Sequence, residues 1–286
     1  MRFTGTKRKG LGERFGRAVA QETSLRDIAG SMSKVARNAM DEASSLELEE
    51  VTIRLSKLPK KLDGFRLVHL SDFHHSPLTD LEHIEKAVET ANELEPDMVV
   101  LTGDYVSHEP EYIRPVAEVM GRLESEYGSY ACLGNHDHWT DAELVTRELE
   151  ENGIRMLVNE GFRFTAKGVS FWMCGVDDHM MKRTDVKAAL HGSFPDEMKM
   201  MLAHNPVIVR QAARYGVDMM FSGHTHGGQV KIREKEKKIL AHRRLSSGLH
   251  RRKETQIYIT RGIGTVVLPV RYQCPPEISV IELRTD

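Results

Sequence analysis

The sequence predicts an α/β fold built on more than one sheet, and three observations carry that reading. From residue 65 to residue 152, short apolar strands alternate with helices. Beyond residue 154 the strands outnumber the helices, which points to a second sheet. In five places an apolar strand runs directly into a cluster of Asp, His or Asn.

Taken in order, Leu46, Leu48, Val51, Ile53 and Leu55 lie in an extended stretch, which Leu58-Pro59 and Asp63-Gly64 punctuate. Phe65–Leu70 reads as a strand, residues 80–94 as a helix, and Met98–Leu101 as a short buried strand. A helix near 112–124, a strand at Tyr130–Leu133 and a helix over 141–152 continue the alternation. Strands are expected near 154–158, 162–166, 170–176, 198–203, 217–221, 256–260 and 277–283, with helices near 184–190 and 206–214 among them. Residues 1–45 stand apart. Leu25, Ile28, Met32, Val35, Ala36 and Ala39 recur at helical spacing behind a capping-box-like Ser24-Leu-Arg-Asp27, and Leu11, Phe15 and Val19 form a shorter amphipathic stretch with Arg14 and Arg17. The expected organisation is a basic, amphipathic extension over 1–45 and one domain over 46–286.

Composition narrows the function classes. The chain has 286 residues, 40% hydrophobic and 29% charged, which suits one enzyme-sized soluble domain. No uninterrupted apolar run exceeds four residues, so neither a membrane-spanning helix nor a secretory leader is expected. Three widely spaced cysteines, Cys132, Cys174 and Cys274, fit neither a disulfide framework nor a zinc knuckle. A reducing, cytoplasmic setting is the expectation. The net charge of −2 hides two basic segments: residues 1–20 hold six Lys or Arg against Glu13, and residues 231–253 hold ten against Glu234 and Glu236. Peripheral contact with the anionic inner surface of a membrane is one reading of them, a solvated face the other. Nucleic acid is the weaker competitor, because the second segment has no aromatic residue on which bases could stack. The 14 histidines exceed the 9 Phe and the 7 Tyr, and histidine is the commonest metal ligand and a frequent general acid.

The five strand-end clusters are Leu70-Ser-Asp72-Phe-His74-His75, Leu101-Thr-Gly103-Asp104, Leu133-Gly-Asn135-His136-Asp137, Leu202-Ala-His204-Asn205-Pro206 and Phe221-Ser-Gly223-His224-Thr-His226-Gly-Gly228. Residues just past the carboxyl ends of strands converge on one crevice in α/β proteins. Asp72 and His74, like His224 and His226, are two apart, which in extended backbone puts both on one face. The donor set is imidazole, carboxylate and amide oxygen without thiolate, the chemistry of a pair of Mn, Fe or Zn ions rather than a structural zinc. Two such ions can clamp the attacking and leaving oxygens of a phosphoryl displacement.

In this order the five blocks resemble the calcineurin-like metallophosphoesterases. Thr260-Arg-Gly-Ile-Gly264 and Leu268-Pro-Val-Arg271-Tyr-Gln-Cys274-Pro-Pro-Glu277 are similar to a bacterial branch of membrane-associated phosphodiesterases and UDP-2,3-diacylglucosamine pyrophosphatases. The resemblance covers about residues 46–284. It implies a four-layer α/β/β/α sandwich of two mixed sheets flanked by helices, two divalent metal ions, and hydrolysis of a phosphodiester or pyrophosphate by metal-activated hydroxide. By position, Asp72, His74, Asp104 and His226 would hold the first ion. Asp104, Asn135, His204 and His224 would hold the second, with Asp104 shared. His136 would be the catalytic residue, stabilising the phosphoryl group or protonating the leaving oxygen, and Asp137 a candidate to orient it. His75 would face substrate or solvent, and His138, His179, Asp177 and Asp178 are cleft neighbours or ordinary loop residues. Arg261 and Arg271 would either bind substrate phosphate or form structural ion pairs. The implied substrate is a phosphate ester, small molecule or lipid headgroup, with UDP-2,3-diacylglucosamine as an example. A nuclease or cyclic-nucleotide phosphodiesterase is the alternative within the same chemistry. A purple acid phosphatase would need Tyr where Ser107 stands, and a non-catalytic metal-binding scaffold would be expected to have lost ligands that are all present here.

Overall fold

The described residues form two sheets packed face to face, each with helices on its outer side. The computed structural model describes residues 34–231 and 245–286. The basic stretch at 1–20, the capping-box-like Ser24–Asp27 and the charged run at 232–244 lie outside the described residues.

The first sheet has the order β1-β12-β2-β3-β4-β5, from Glu47–Leu55, Glu277–Thr285, Phe65–Leu70, Met98–Leu101, Ser129–Ala131 and Arg155–Met156. All neighbours are parallel except β12 and β2. The second sheet has the order β10-β11-β9-β8-β7-β6, from Gly248–Arg252, Thr255–Ile259, Met219–Ser222, Lys199–Leu202, Val169–Gly175 and Glu160–Ala166. Its middle is parallel, and its two edge strands are antiparallel. The mixed two-sheet sandwich is therefore as expected.

Alternation of side chains builds the layers. In β2, Phe65 and Leu67 face the second sheet and meet Phe164, Met173, Met200 and Met219, while Val68 and Leu70 face outward. The outward face is covered by α2 (Leu81–Glu93), α3 (Ile113–Met120) and α5 (Ala142–Glu151) through Ile84, Val88, Val116, Val145 and Leu149. The outer face of the second sheet is covered by α6 (Val186–Ala189) and α7 (Val209–Ala212). Asp80 and Asp141 cap α2 and α5 by accepting the N–H groups of His83 and Leu144. Cys132 and Cys174 are buried among these layers as core residues, and Cys274 is also buried and free.

One local expectation needs correction and two segments gain an element. The strand near 154–158 is only two residues long, because it is an edge strand pairing β4 alone. Residues 135–140, between the expected strand and helix, form a helix of their own, α4 (Asn135–Thr140). Residues 248–252 of the basic run form β10, paired to β11, and the strand keeps a largely solvent-exposed face. The described chain opens with α1, residues 34–43, which docks on the domain. Arg271 N donates to Ala39 O, and the Glu42 carboxylate accepts the N–H groups of Gln273 and Cys274.

Candidate metal centre

The parallel strands β2, β3 and β4 of one sheet and β8 and β9 of the other end at the same edge of the sandwich. Their carboxyl ends deliver Asp72 and His74, Asp104, Asn135 and His136, His204, and His224 and His226. All are buried except His224, which is half-buried.

The donors form a chain. Asp72 Oδ1 lies 3.4 Å from His226 Nε2, which lies 3.0 Å from His74 Nε2. Asp104 Oδ2 is 3.5 Å from His74 Nε2 and 3.1 Å from His204 Nε2, and His204 Nε2 is 3.2 Å from His224 Nδ1. Three overlapping groups have donor atoms within 4.8 Å of one another: Asp72 with His74 and His226, Asp104 with His204 and His224, and, between them, His74 and Asp104 with His136. Asp104 Oδ2 links the His74 side of the cluster to the His204 side. Asn135 Oδ1 is buried without a hydrogen-bond partner.

The backbone reaches this arrangement differently from the extended geometry expected. Asp72, His74, Asp104, His224 and His226 all have left-handed φ, between 49° and 71°. The i, i+2 pairs meet because the chain kinks at each member, not because it is extended. Asp and His tolerate this region better than most residues, yet each costs about 1 kcal/mol relative to right-handed backbone. Two glycines complete the cradle. A Cβ on Gly134 would strike the Asp104 carboxylate, and one on Gly223 would strike the Asp72 carboxylate and Ser71 Oγ.

Backbone N–H groups aim the carboxylates. His224 N donates to Asp72 at 2.9 and 3.1 Å, and His136 N donates to Asp104 Oδ1 at 2.8 Å. His204 Nδ1–H donates to Thr102 O at 2.6 Å, so Nε2, 3.1 Å from Asp104, is the atom that exchanges a proton and carries the lone pair in the neutral ring. Burial pushes His74 and His226 down to about 3, which keeps both rings neutral. Burial also opposes charge on His204, but the adjacent Asp104 carboxylate overrides it and raises His204 to about 10. Asp104 is held below its usual range by His204 against the cost of its burial.

These residues fit divalent cations. The donors are imidazoles and carboxylates of hard-to-borderline character, a cation would displace the proton that Asp104 holds on His204, and a buried amide oxygen, Asn135 Oδ1, lacks a partner.

The remaining expected residues divide. His136 Nδ1–H donates to Ser107 O at 2.9 Å, and its ring stands edge-on to His74 with centroids 4.7 Å apart. Asp137 does not orient His136: its carboxylate accepts Asp104 N, Tyr105 N and Gly134 N at 2.8–2.9 Å, tying two ligand loops together. Burial and the Asp104 charge raise the Asp137 pKa, and these N–H donors oppose that rise. His75 is neither at the cluster nor in solvent, since its Nδ1 donates to Tyr112 O in a buried position. Asp177 accepts from His138 at 2.5 Å and from Arg183, joining α4 to the end of β7. Arg271 is fully buried and donates to the carbonyls of Arg261, Gly262, Gly264 and Cys274, while Arg261 pairs with Glu47, Glu49 and Glu277. The hydrogen bonds of both guanidinium groups go to backbone carbonyls and carboxylates, although, beside burial, the Arg271 charge lowers the His226 pKa.

Sequence reasoning missed three neighbours. Ser107 O fixes His136, and Ser107 Oγ lies 3.4 Å from His74 Nδ1. His108 and Trp139 pack on the His136 ring with centroids 5.0 and 4.6 Å away. The available signal was the i, i+3 spacing of His136 and Trp139, which shares a face only once residues 135–140 are known to be helical.

The sequence model of the calcineurin-like phosphoesterases matches residues 65–228, which spans all five clusters. The Bacillus subtilis metallophosphoesterase YkuE is 30% identical over 250 residues, 85% of this chain and 87% of the relative. The Escherichia coli phosphodiesterase YaeI is 29% identical over 241 residues, 82% of this chain and 88% of the relative. A Danio rerio transmembrane protein with a metallophosphoesterase domain is 35% identical over 251 residues, and the chain spans 56% of its length. No helix among the described residues is long and apolar enough to cross a membrane. With its strand-end cluster and these relatives, the chain belongs to the calcineurin-like phosphoesterase family and is a phosphoric ester hydrolase.

Proposed function

We propose that the chain hydrolyses a phosphodiester or pyrophosphate bond in a small-molecule or lipid-linked substrate, with nucleotide sugars such as UDP-2,3-diacylglucosamine in the candidate class. The observation that carries this reading is the pair of donor groups linked through one atom, Asp104 Oδ2, with His136 beside them. Asp72, His74, Asp104 and His226 would hold one divalent ion, and Asp104, Asn135, His204 and His224 the other. Ions of the Mn, Fe or Zn kind supply Lewis acidity, polarising phosphoryl oxygens and acidifying water.

The protein's own part is positional. Ser107 O accepts a hydrogen bond from Nδ1–H of His136, so Nε2 is the ring atom free to exchange a proton and, in the protonated ring, would donate to the leaving oxygen or to the charge building on phosphorus. Asp104 and Asp72 keep fixed orientations through the His136 and His224 N–H groups. The supporting protein is residues 46–286, with 1–45 as an extension. The basic segments at 1–20 and 231–253 suit peripheral contact with an anionic membrane surface on the cytoplasmic side.

The test is a manganese-supplemented screen over aryl phosphodiesters, nucleotides, UDP-sugars and phospholipids, with His136→Ala as control. Turnover should fall by about 10²-fold or more in that variant while bound metal is retained. Equal rates for both proteins on an aryl phosphodiester would remove His136 from the chemistry.

A further inference from the structure

Trp139 is 48% exposed, whereas the other tryptophan, Trp172, is 5% exposed. Its placement follows from α4. Three residues after His136 in a helix, it occupies the same face as that ring, while Asn135 and His138 share the neighbouring face. The indole meets His136 at 61° and lies nearly parallel to His108, at 15° with centroids 6.4 Å apart. Those distances fall in the range of edge-to-face and offset aromatic packing. The helix beneath is pinned on both sides. His138 donates to Asp177, and Asp137 holds the backbone of Gly134, Asp104 and Tyr105. A large, flat, half-exposed surface is thus held rigidly one ring away from the residue that faces the leaving group, and rigidity lowers the entropic cost of binding to it.

We infer that Trp139 is a specificity-determining residue, the surface on which a planar ring on the leaving-group side of the substrate stacks, as a nucleoside base would. This rests on the phosphodiesterase reading above. The ring's neighbours favour a heteroaromatic ligand over an acyl chain. Two imidazoles flank the indole, and a lipid tail would need apolar walls in their place. Base–aromatic stacking requires only a π face and is indifferent to the base's identity, so the subsite would select nucleotide-like esters without selecting one base.

The experiment uses the full chain in excess manganese, with Trp139→Ala and Trp139→Phe. Two diesters are compared, adenylyl-(3′,5′)-adenosine and glycerophosphoethanolamine, and adenosine 5′-monophosphate is titrated against tryptophan emission. Trp139→Ala should raise KM for the dinucleotide about tenfold or more with kcat within about twofold, and Trp139→Phe should recover most of the loss. KM for the glycerol ester should not move. The nucleotide should quench emission of the native protein and not of Trp139→Phe, in which only buried Trp172 remains. An unchanged KM for the dinucleotide, an equal rise for both esters, or no quenching would overturn the inference. If neither diester is cleaved by the native protein, the hydrolytic reading fails for them, and the quenching titration still decides the role of Trp139.

Discussion

Replacing Asp137 by Asn should destabilise the protein while leaving its outline intact. The side chain is fully buried, and its two oxygens accept three backbone N–H groups: Oδ2 takes Gly134 and Asp104, and Oδ1 takes Tyr105. An asparagine can keep the first two with its single oxygen, but its NH₂ then faces the Tyr105 N–H, donor against donor. An orphaned buried donor costs about 1–3 kcal/mol, and the two surviving bonds lose their charge assistance. Relief of repulsion with Asp104 offsets part of this, for a net loss of about 2–3 kcal/mol. In a domain of this size that corresponds to a fall in Tm of roughly 5–10 °C. Thermal unfolding followed by circular dichroism, at one fixed manganese concentration, measures it. Turnover should also drop, by about tenfold, because the two loops that Asp137 ties together bear Asp104, Asn135 and His136. A Tm within about 2 °C of the native protein would refute the assignment. A shifted pH–rate profile at unchanged stability would instead return Asp137 to a role on the His136 ring.

Two further outcomes follow from burial and close packing. Gly223→Ala should fold but retain less metal after dialysis, with activity down by about tenfold or more, since the added methyl displaces the Asp72 carboxylate; metal content by mass spectrometry decides it. His69 is buried in β2, and desolvation pushes it down to about 3 from 6.5, so the folded state holds it neutral while the unfolded chain takes up a proton. Stability is therefore unaffected above about pH 6.5 and declines as pH falls from there toward 3, by about 2 kcal/mol between pH 7 and pH 5 from this residue alone. Urea unfolding of His69→Phe across that interval should show a correspondingly flatter slope, and an unchanged slope would contradict the neutral state.

Much of the centre was legible because its residues are few in kind and lie at strand ends. Asp72, His74, Asp104, Asn135, His136, His204, His224 and His226 were all expected together, and the fold brings their chain segments to one edge. What misled was local conformation. The i, i+2 reading of Asp72 with His74 assumed extended backbone, and the left-handed kinks depend on glycines and N–H donors from distant loops. Periodicity over six residues could not distinguish α4 from a loop, so the face shared by His136 and Trp139 was invisible. His75 and Arg271 show the limit of adjacency as a guide. Each sits beside a functional motif, yet tertiary packing turns it onto backbone carbonyls. The basic run also reads uniformly in composition, while Gly248–Arg252 within it pairs as a strand.

The left-handed backbone at five of these residues filters which side chains the positions can accept. Each must be occupied by a residue that both donates to the centre and tolerates positive φ, a joint requirement met by Asp, Asn and His and by almost nothing else. Alanine at Asp72 or Asp104 therefore removes a ligand and imposes conformational strain at once, so its effect cannot be assigned to either. Asp104→Asn removes the charge and keeps the backbone preference. Comparing it with Asp104→Ala separates what the centre owes to its chemistry from what it owes to the shape of its chain.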